Sequence, residues 1–229
     1  QLMDVDFYSE AAVFLLGGAY FDERSVLVKD IFTSLQSYDR NCIVGGSSLS
    51  KTFSVVIWHA IDYLRDPDNT AIRVTALNDT TLRNNIFNGL SHCLKSMVLD
   101  YGLVYSNLFI GMDPQNRKGC IHGITYPQDS NETGRFKGFK PLPRGGKEHP
   151  QFKNMSRVRL IMEEASNMPD GIRQELHSME GSQGQMDDGR VKLTAIFNPY
   201  NMNHWTASIS APKGGLTTLD FETAQQWDS

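Results

Sequence analysis

The sequence predicts an α/β domain with a mainly parallel central sheet and helices on its faces. Three observations predict it. A short apolar run, Asn41-Cys42-Ile43-Val44, leads into a Gly/Ser loop and then into a helical pattern. Further apolar runs, Ala71–Leu77, Arg157–Glu163 and Val191–Phe197, have the length of buried strands. Segments of helical periodicity lie between the early runs, and strands joined by helices run parallel through right-handed crossovers.

Residues 1–20 are mixed, with an apolar stretch from Ala11 to Leu16 closed by Gly17-Gly18. Residues 22–38 read as a helix with Leu27, Val28, Ile31, Phe32 and Leu35 on one face. Residues 1–40 are thus expected to form a helical segment on a core at 41–210, with 211–229 as a tail or linker. Beyond the first strand, Phe53, Val56, Ile57, Ala60, Ile61 and Leu64 recur at helical spacing until Pro67 stops the pattern. The strand Ala71–Leu77 follows. Asn78, Asp79 or Thr80 can cap the next helix, which carries Leu82, Ile86, Leu90, Leu94 and Met97 on one face. Leu103–Ile110 and Cys120–Tyr126 are expected to be two strands joined by a turn around Asp113–Asn116. Proline, glycine and basic residues make 127–150 a loop. A strand at Arg157–Glu163, a helix at Gly171–Met179, a polar loop at Ser182–Gly189 and a strand at Val191–Phe197 complete the pattern.

Composition narrows the class. The chain has 229 residues, 40% hydrophobic and 21% charged, which is globular, and no apolar run approaches the ~20 residues of a membrane span. A net charge of −4 argues against a surface that tracks nucleic acid throughout, so any DNA contact must be local or shared among subunits. Cys42, Cys93 and Cys120 lie far apart and read as reduced thiols rather than a disulfide framework. The chain begins at Gln1, so an upstream segment is expected to be missing.

The chemistry concentrates in three places. Gly45-Gly46-Ser47-Ser48-Leu49-Ser50-Lys51-Thr52 fits the phosphate-cradling pattern G-x-x-x-x-G-K-[ST] except that Ser50 stands for the second glycine. Backbone N–H groups and a helix N-terminus make an anion site there. Lys51 would meet the β/γ-phosphates and the Thr52 hydroxyl would hold Mg²⁺, which implies ATP or GTP. Taken alone, the loop is also an ordinary turn before a helix; the strand ahead and the helix behind favour phosphate. Arg157–Glu163 is an apolar strand whose end carries two acids, Glu163 and Glu164. In a nucleotide hydrolase Glu163 would hold Mg²⁺ and Glu164 would orient or deprotonate an attacking water; the alternative is a surface acid pair at a strand end. Val191–Phe197 ends in Asn198-Pro199, and an amide at a neighbouring strand tip can sense the γ-phosphate.

In this order the motifs resemble the ATPase domain of the large terminase subunit, the motor that packages DNA into tailed-phage and herpesvirus-like capsids. The resemblance rests on Gly45–Thr52, Phe136-Lys137-Gly138-Phe139, Leu160–Ala165 and Ala195–Pro199, and runs from the helix before the loop to Trp205. It implies a P-loop α/β fold of the catalytic-glutamate type, with an added strand between the phosphate loop and the acidic strand. It implies ATP and Mg²⁺ as ligands, Lys51 and Thr52 on phosphate and metal, Glu163 on the metal, Glu164 as the catalytic glutamate, and Asn198 in the coupling motif. It also implies double-stranded DNA, a portal protein and a small terminase subunit as partners, a homo-oligomeric ring when assembled, and the cytoplasm of an infected host cell. Arg135, Lys137, Lys140 and Arg144 are candidate DNA contacts in the basic loop, whose alternative is a solvated connector.

This sequence departs from the family's pattern. Glu163 stands where an aspartate is usual. Ser47-Ser48 stand where many members have an arginine, so a charge on the γ-phosphate is expected from Arg73, Arg83, Arg117, Arg135, Arg144, Arg157 or Arg159, in a neighbouring subunit. No carboxylate cluster follows Asn203, so the motor half without DNA cleavage is expected. A helicase-like ATPase on nucleic acid and a nucleotide-binding switch without useful turnover are the alternatives.

Overall fold

The computed structural model describes residues 5–16, 26–46, 50–96, 102–112, 119–126, 157–169, 171–172, 191–198 and 206. Its strands are β1 (Arg40–Val44), β2 (Thr70–Ala76), β3 (Val104–Ser106), β4 (Phe109–Gly111), β5 (Cys120–Thr125), β6 (Arg157–Glu163) and β7 (Val191–Phe197). Together they make a 7-stranded sheet in the order β1-β7-β6-β2-β5-β4-β3. All pairs from β1 to β5 are parallel, and β4 and β3 add an antiparallel edge. The near-continuous apolar runs of β2 and β6 suit strands covered on both faces. The added strand of the expected fold type is β7, which lies between β1 and β6.

The helices are α1 (Val5–Leu16), α2 (Val26–Ser37), α3 (Lys51–Leu64), a short turn α4 (Asp79–Thr81) and α5 (Asn88–Ser96). A π-helical segment, Leu82–Phe87, joins α4 to α5 without a break. Asn78 is the cap, its side chain accepting from the Thr81 N–H at 2.8 Å. Leu82, Ile86 and Leu90 face the core, as the periodicity predicts. Of the helix expected at Gly171–Met179, only residues 171–172 are described, and they are helical. The loop at 127–150 and the tail at 211–229 lie outside the described residues.

One expectation is corrected. Leu103–Ile110 is not one strand but the hairpin β3–β4, with Ser106 paired to Phe109. Leu108 takes φ 55° and turns the chain. Apolar content does not distinguish one eight-residue strand from two short ones, and a leucine in the left-handed region is not a recognised turn signal.

Strand alternation sorts the core into two clusters. Val158, Leu160 and Met162 of β6, with Val191, Ala195 and Phe197 of β7, pack with Ala165, Met168 and Ile172. Ile161 and Ile196 point the other way and join residues of α1, α2, α3 and α5. Arg157, Arg159 and Glu163 share Ile161's parity, so the helix-facing side of β6 carries two cations at its start and a carboxyl at its end.

At the end of α3 far from its N-terminus, Asp62 is 1% exposed and gathers the buried charges. Arg159 Nε donates to its Oδ2 at 2.8 Å, and Arg157 Nη2 bonds its Oδ1. Arg157 also donates to the Thr70 hydroxyl at 3.1 Å, and the Tyr8 hydroxyl donates to Asp62 Oδ1 at 3.2 Å. Tyr8 stacks on Trp58 at 4.9 Å, which ties α1 to α3. Burial pushes the Asp62 pKa up, but the guanidiniums of Arg159 and Arg157 outweigh it and hold the carboxyl below its usual range. His59, fully buried on the same helix, has Nε2 3.3 Å from the Thr194 hydroxyl. Its Nδ1 has no hydrogen-bond partner among the described residues. Burial pushes its pKa down to about 3.

Asp62→Asn leaves one buried and one half-buried guanidinium without their counter-charge and is expected to cost about 3–5 kcal/mol in chemical denaturation. A loss below ~1 kcal/mol would mean that water already reaches the pair. His59 is expected to make the fold acid-labile. Its folded pKa lies below the unfolded value of about 6.5, so its contribution is intact above pH 6.5 and is lost as pH falls toward 3. Between pH 6.5 and 5.0 the stability advantage of the parent over His59→Asn should shrink by about 2 kcal/mol, read from urea midpoints. An advantage constant across that window would refute the buried neutral imidazole.

Candidate active site

The carboxyl ends of the parallel strands bring the candidate residues together. Gly45 follows β1, Asn198 follows β7, Glu163 closes β6, and the helix after β2 starts beside them. In the register, Val44 lies opposite Phe197 and Glu163 opposite Ile196, so the strand tips are level.

Lys51 opens α3, and its ammonium is enclosed. Nζ donates to the carbonyls of Gly45 at 2.6 Å and Gly46 at 2.5 Å and to Asn198 Oδ1 at 3.1 Å. Burial lowers its pKa, and the charge of Glu163 opposes that shift. Ser50, at the second-glycine position of the motif, has φ 54° and ψ 17°. This left-handed conformation is the reason the pattern prefers glycine there, and Ser50 adopts it at a cost. Its carbonyl accepts from the N–H of Ser54 at 2.9 Å and the Ser54 hydroxyl at 3.0 Å. Ser47, Ser48 and Leu49 lie outside the described residues.

Thr52 meets Glu163. The hydroxyl donates to the carboxylate, 3.2 Å to Oε1 and 3.4 Å to Oε2. Asn85, in the π-helical segment, donates from Nδ2 to Oε1 at 3.3 Å. Glu163 is 5% exposed, and burial pushes its pKa up to about 7. The hydrogen bonds from Thr52 and Asn85 oppose that rise, the neighbouring Glu164 adds to it, and Lys51 opposes it. The Thr52 hydroxyl and the Glu163 carboxylate are hard oxygen donors, a set that fits Mg²⁺. Among the described residues no group of three or more His, Cys, Asp or Glu could hold a metal ion.

Glu164 is half-buried, with φ 52° and ψ 43°. This turn ends the strand and starts a 3-10 turn at Ala165–Asn167. A left-handed glutamate is uncommon, and such strain gathers at functional sites.

The arginine candidates divide. Arg157 and Arg159 are committed to Asp62 at the opposite edge of the sheet and do not face this site. Arg73 lies within β2, with Nη1 3.6 Å from Cys120 Sγ. Arg83 is exposed and pairs with Asp79 at 2.6 Å. Arg117, Arg135 and Arg144 lie outside the described residues, as do Lys137 and Lys140. The sequence reading passed over Asn85; an asparagine inside an amphipathic helix is the signal that could have raised it, since that residue type disfavours helix interiors.

No protein-family model matches the chain, and no curated protein does. Solved structures do. The ATPase domain of the large terminase of Thermus phage P74-26 superposes with a TM-score of 0.53 at 14% identity, covering 89% of this chain and 75% of that one. A variant of that domain gives 0.55 at 15% identity, with the same coverage. The fold is that of a large terminase ATPase domain. The large terminase of the thermophilic bacteriophage D6E is also similar, with a TM-score of 0.48 and 14% identity over 86% of this chain. This chain spans 40% of the length of that terminase. Among the described residues no helix is long and apolar enough to cross a membrane.

Within this terminase fold Ser50 gives a direct test of loop geometry. Ser50→Gly is expected to be neutral or stabilising by up to about 1 kcal/mol, and Ser50→Val to cost more than about 1 kcal/mol. Thermal melts of the two variants decide, and a valine variant as stable as the glycine one would contradict the left-handed geometry.

Proposed function

We propose that this chain is the ATPase motor domain of a tailed-phage large terminase, hydrolysing ATP to drive double-stranded DNA into a procapsid. What supports this reading is the convergence of Lys51, Thr52, Glu163 and Asn198 within hydrogen-bonding distance at the carboxyl edge of an added-strand sheet.

Each residue has a task in that reaction. Lys51 exchanges the Gly45 and Gly46 carbonyls for the β/γ-phosphate oxygens of ATP. Thr52 and Glu163 would hold Mg²⁺, which would offset phosphate charge. Glu164, on its strained turn, orients a water against the γ-phosphate and accepts its proton. Asn198 already touches the Lys51 ammonium, so loss of the γ-phosphate changes what both groups bond. Because Asn198 sits at the tip of β7, that change is passed to the strand between β1 and β6.

The γ-phosphate charge left over is met by an arginine from a neighbouring copy, which makes a ring the working assembly. DNA, a portal protein and a small terminase subunit are the partners, with the basic residues Arg135, Lys137, Lys140 and Arg144 as DNA contacts. The setting is the cytoplasm of the infected cell.

Glu164→Gln is expected to bind ATP with parental affinity and to lose hydrolysis by about 10²–10⁴-fold. Calorimetric binding and phosphate release are measured side by side, at protein concentrations high enough for copies to meet. Parental turnover in this variant removes Glu164 from catalysis.

A further inference from the structure

We infer that Asn85 is the residue that positions the Glu163 carboxylate for magnesium. The inference rests on the ATPase reading and adds to it a side chain outside the motifs that suggested it.

The geometry is specific. Glu163 is buried, and the donors that the structure places on its carboxylate are Thr52 and Asn85. A carboxylate only accepts hydrogen bonds, so the Asn85 amide must present Nδ2 to it. Asn85 itself is exposed, so it approaches Glu163 from the open side of the site.

A glutamate needs such a partner more than an aspartate does. It has an additional rotatable bond between backbone and carboxylate, and its terminal torsion is broad. Thr52 alone leaves that torsion loosely set, because its hydroxyl lies 3.2 Å from one oxygen and 3.4 Å from the other. A second donor on Oε1 fixes the plane of the carboxylate and leaves Oε2 available. The partner's chemistry also matters. A lysine or arginine at this place would neutralise the carboxylate and compete with a cation, whereas an amide orients it and leaves its charge intact. Outer groups of this kind orient metal ligands and tune their affinity.

The backbone is built to deliver this contact. Asn85 lies in the middle of Leu82–Phe87, the one π-helical stretch among the described residues. Its neighbours Ile86 and Phe87 are buried in the core. A π-turn widens the helix locally and is frequent at functional sites. Here it coincides with the residue that reaches across from the helix after β2 to the end of β6.

The test uses the purified chain, Mn²⁺ as a magnetic probe for the magnesium position, and a non-hydrolysable ATP analogue. Bound Mn²⁺ is counted by electron paramagnetic resonance, and analogue affinity is measured with and without Mg²⁺. Asn85→Ala should weaken Mn²⁺ binding in the analogue complex roughly 10-fold. It should leave analogue affinity without metal, and the melting temperature, at the parental values. Asn85→Gln, which keeps the amide donor, should recover part of the loss, and it also serves as the test variant should the alanine protein fail to fold. In a Glu163→Asp background the shorter carboxylate no longer reaches the amide, so adding Asn85→Ala should change Mn²⁺ binding less than 2-fold. Parental Mn²⁺ binding in Asn85→Ala overturns the inference, as does an equal penalty in both backgrounds. A parent chain whose analogue affinity is indifferent to Mg²⁺ overturns the ATPase reading, and this inference falls with it.

Discussion

The packing of α3 along β6 is the constraint on which the rest of the structure depends. Helix and strand run in opposite directions across the sheet and meet at both ends through polar pairs. At one end Asp62 takes Arg157 and Arg159. At the other Thr52 takes Glu163. The lengths match: Thr52 to Asp62 is ten residues of helix, about 15 Å, and Arg159 to Glu163 is four residues of strand, about 13 Å. Between the pairs, Ile161 packs in the same core cluster as Val55 and Ile57. The buried ion cluster therefore sets the register in which the loop-bearing helix approaches the acidic strand. A slip of one residue in β6 would turn both Arg159 and Glu163 away from the helix.

The two ends differ in what they tolerate. The Asp62 end is closed: two guanidiniums share one carboxylate, Tyr8 covers it from α1, and His59 is held neutral beside it. The other end is open and incompletely compensated. Glu163 is buried beside the charge of Glu164, the Lys51 ammonium is bonded to two backbone carbonyls and Asn198, and Ser50 and Glu164 both occupy the left-handed region. Each of these features has a cost that a ligand with phosphate oxygens and a hard cation would offset. Stability sits at one edge of the sheet, and unmet chemistry at the other.

Much of the fold was legible because its strands and helices obey single periodicities. Val191–Phe197 and Arg157–Glu163 have the bounds that the apolar runs implied, while β1 starts one residue and α3 two residues before its apolar pattern. The Gly/Ser motif at 45–52 and its flanking elements are also a local signal, since the motif, the strand before it and the helix after it are contiguous. Other features were not legible, for identifiable reasons. The hairpin at Leu108 uses a residue that does not advertise a turn. The π-turn leaves the 3.6-residue pattern of Leu82, Ile86 and Leu90 intact and so does not show in it. Arg157 and Arg159 looked like free cations because their acceptor, Asp62, is 95 and 97 residues away in the chain.

The sequence by itself determined the alternation of strands and helices, the Gly/Ser motif between β1 and α3, and the acid pair at a strand end, because each is written in neighbouring residues. Only the tertiary structure decided that β7 enters between β1 and β6, that Asn198 thereby reaches Lys51, that Asn85 reaches Glu163, and that two of the arginines are spent on Asp62. Those outcomes depend on strand order and on which face each side chain takes. Pairing energies between residues a hundred positions apart set both, and no local pattern encodes them.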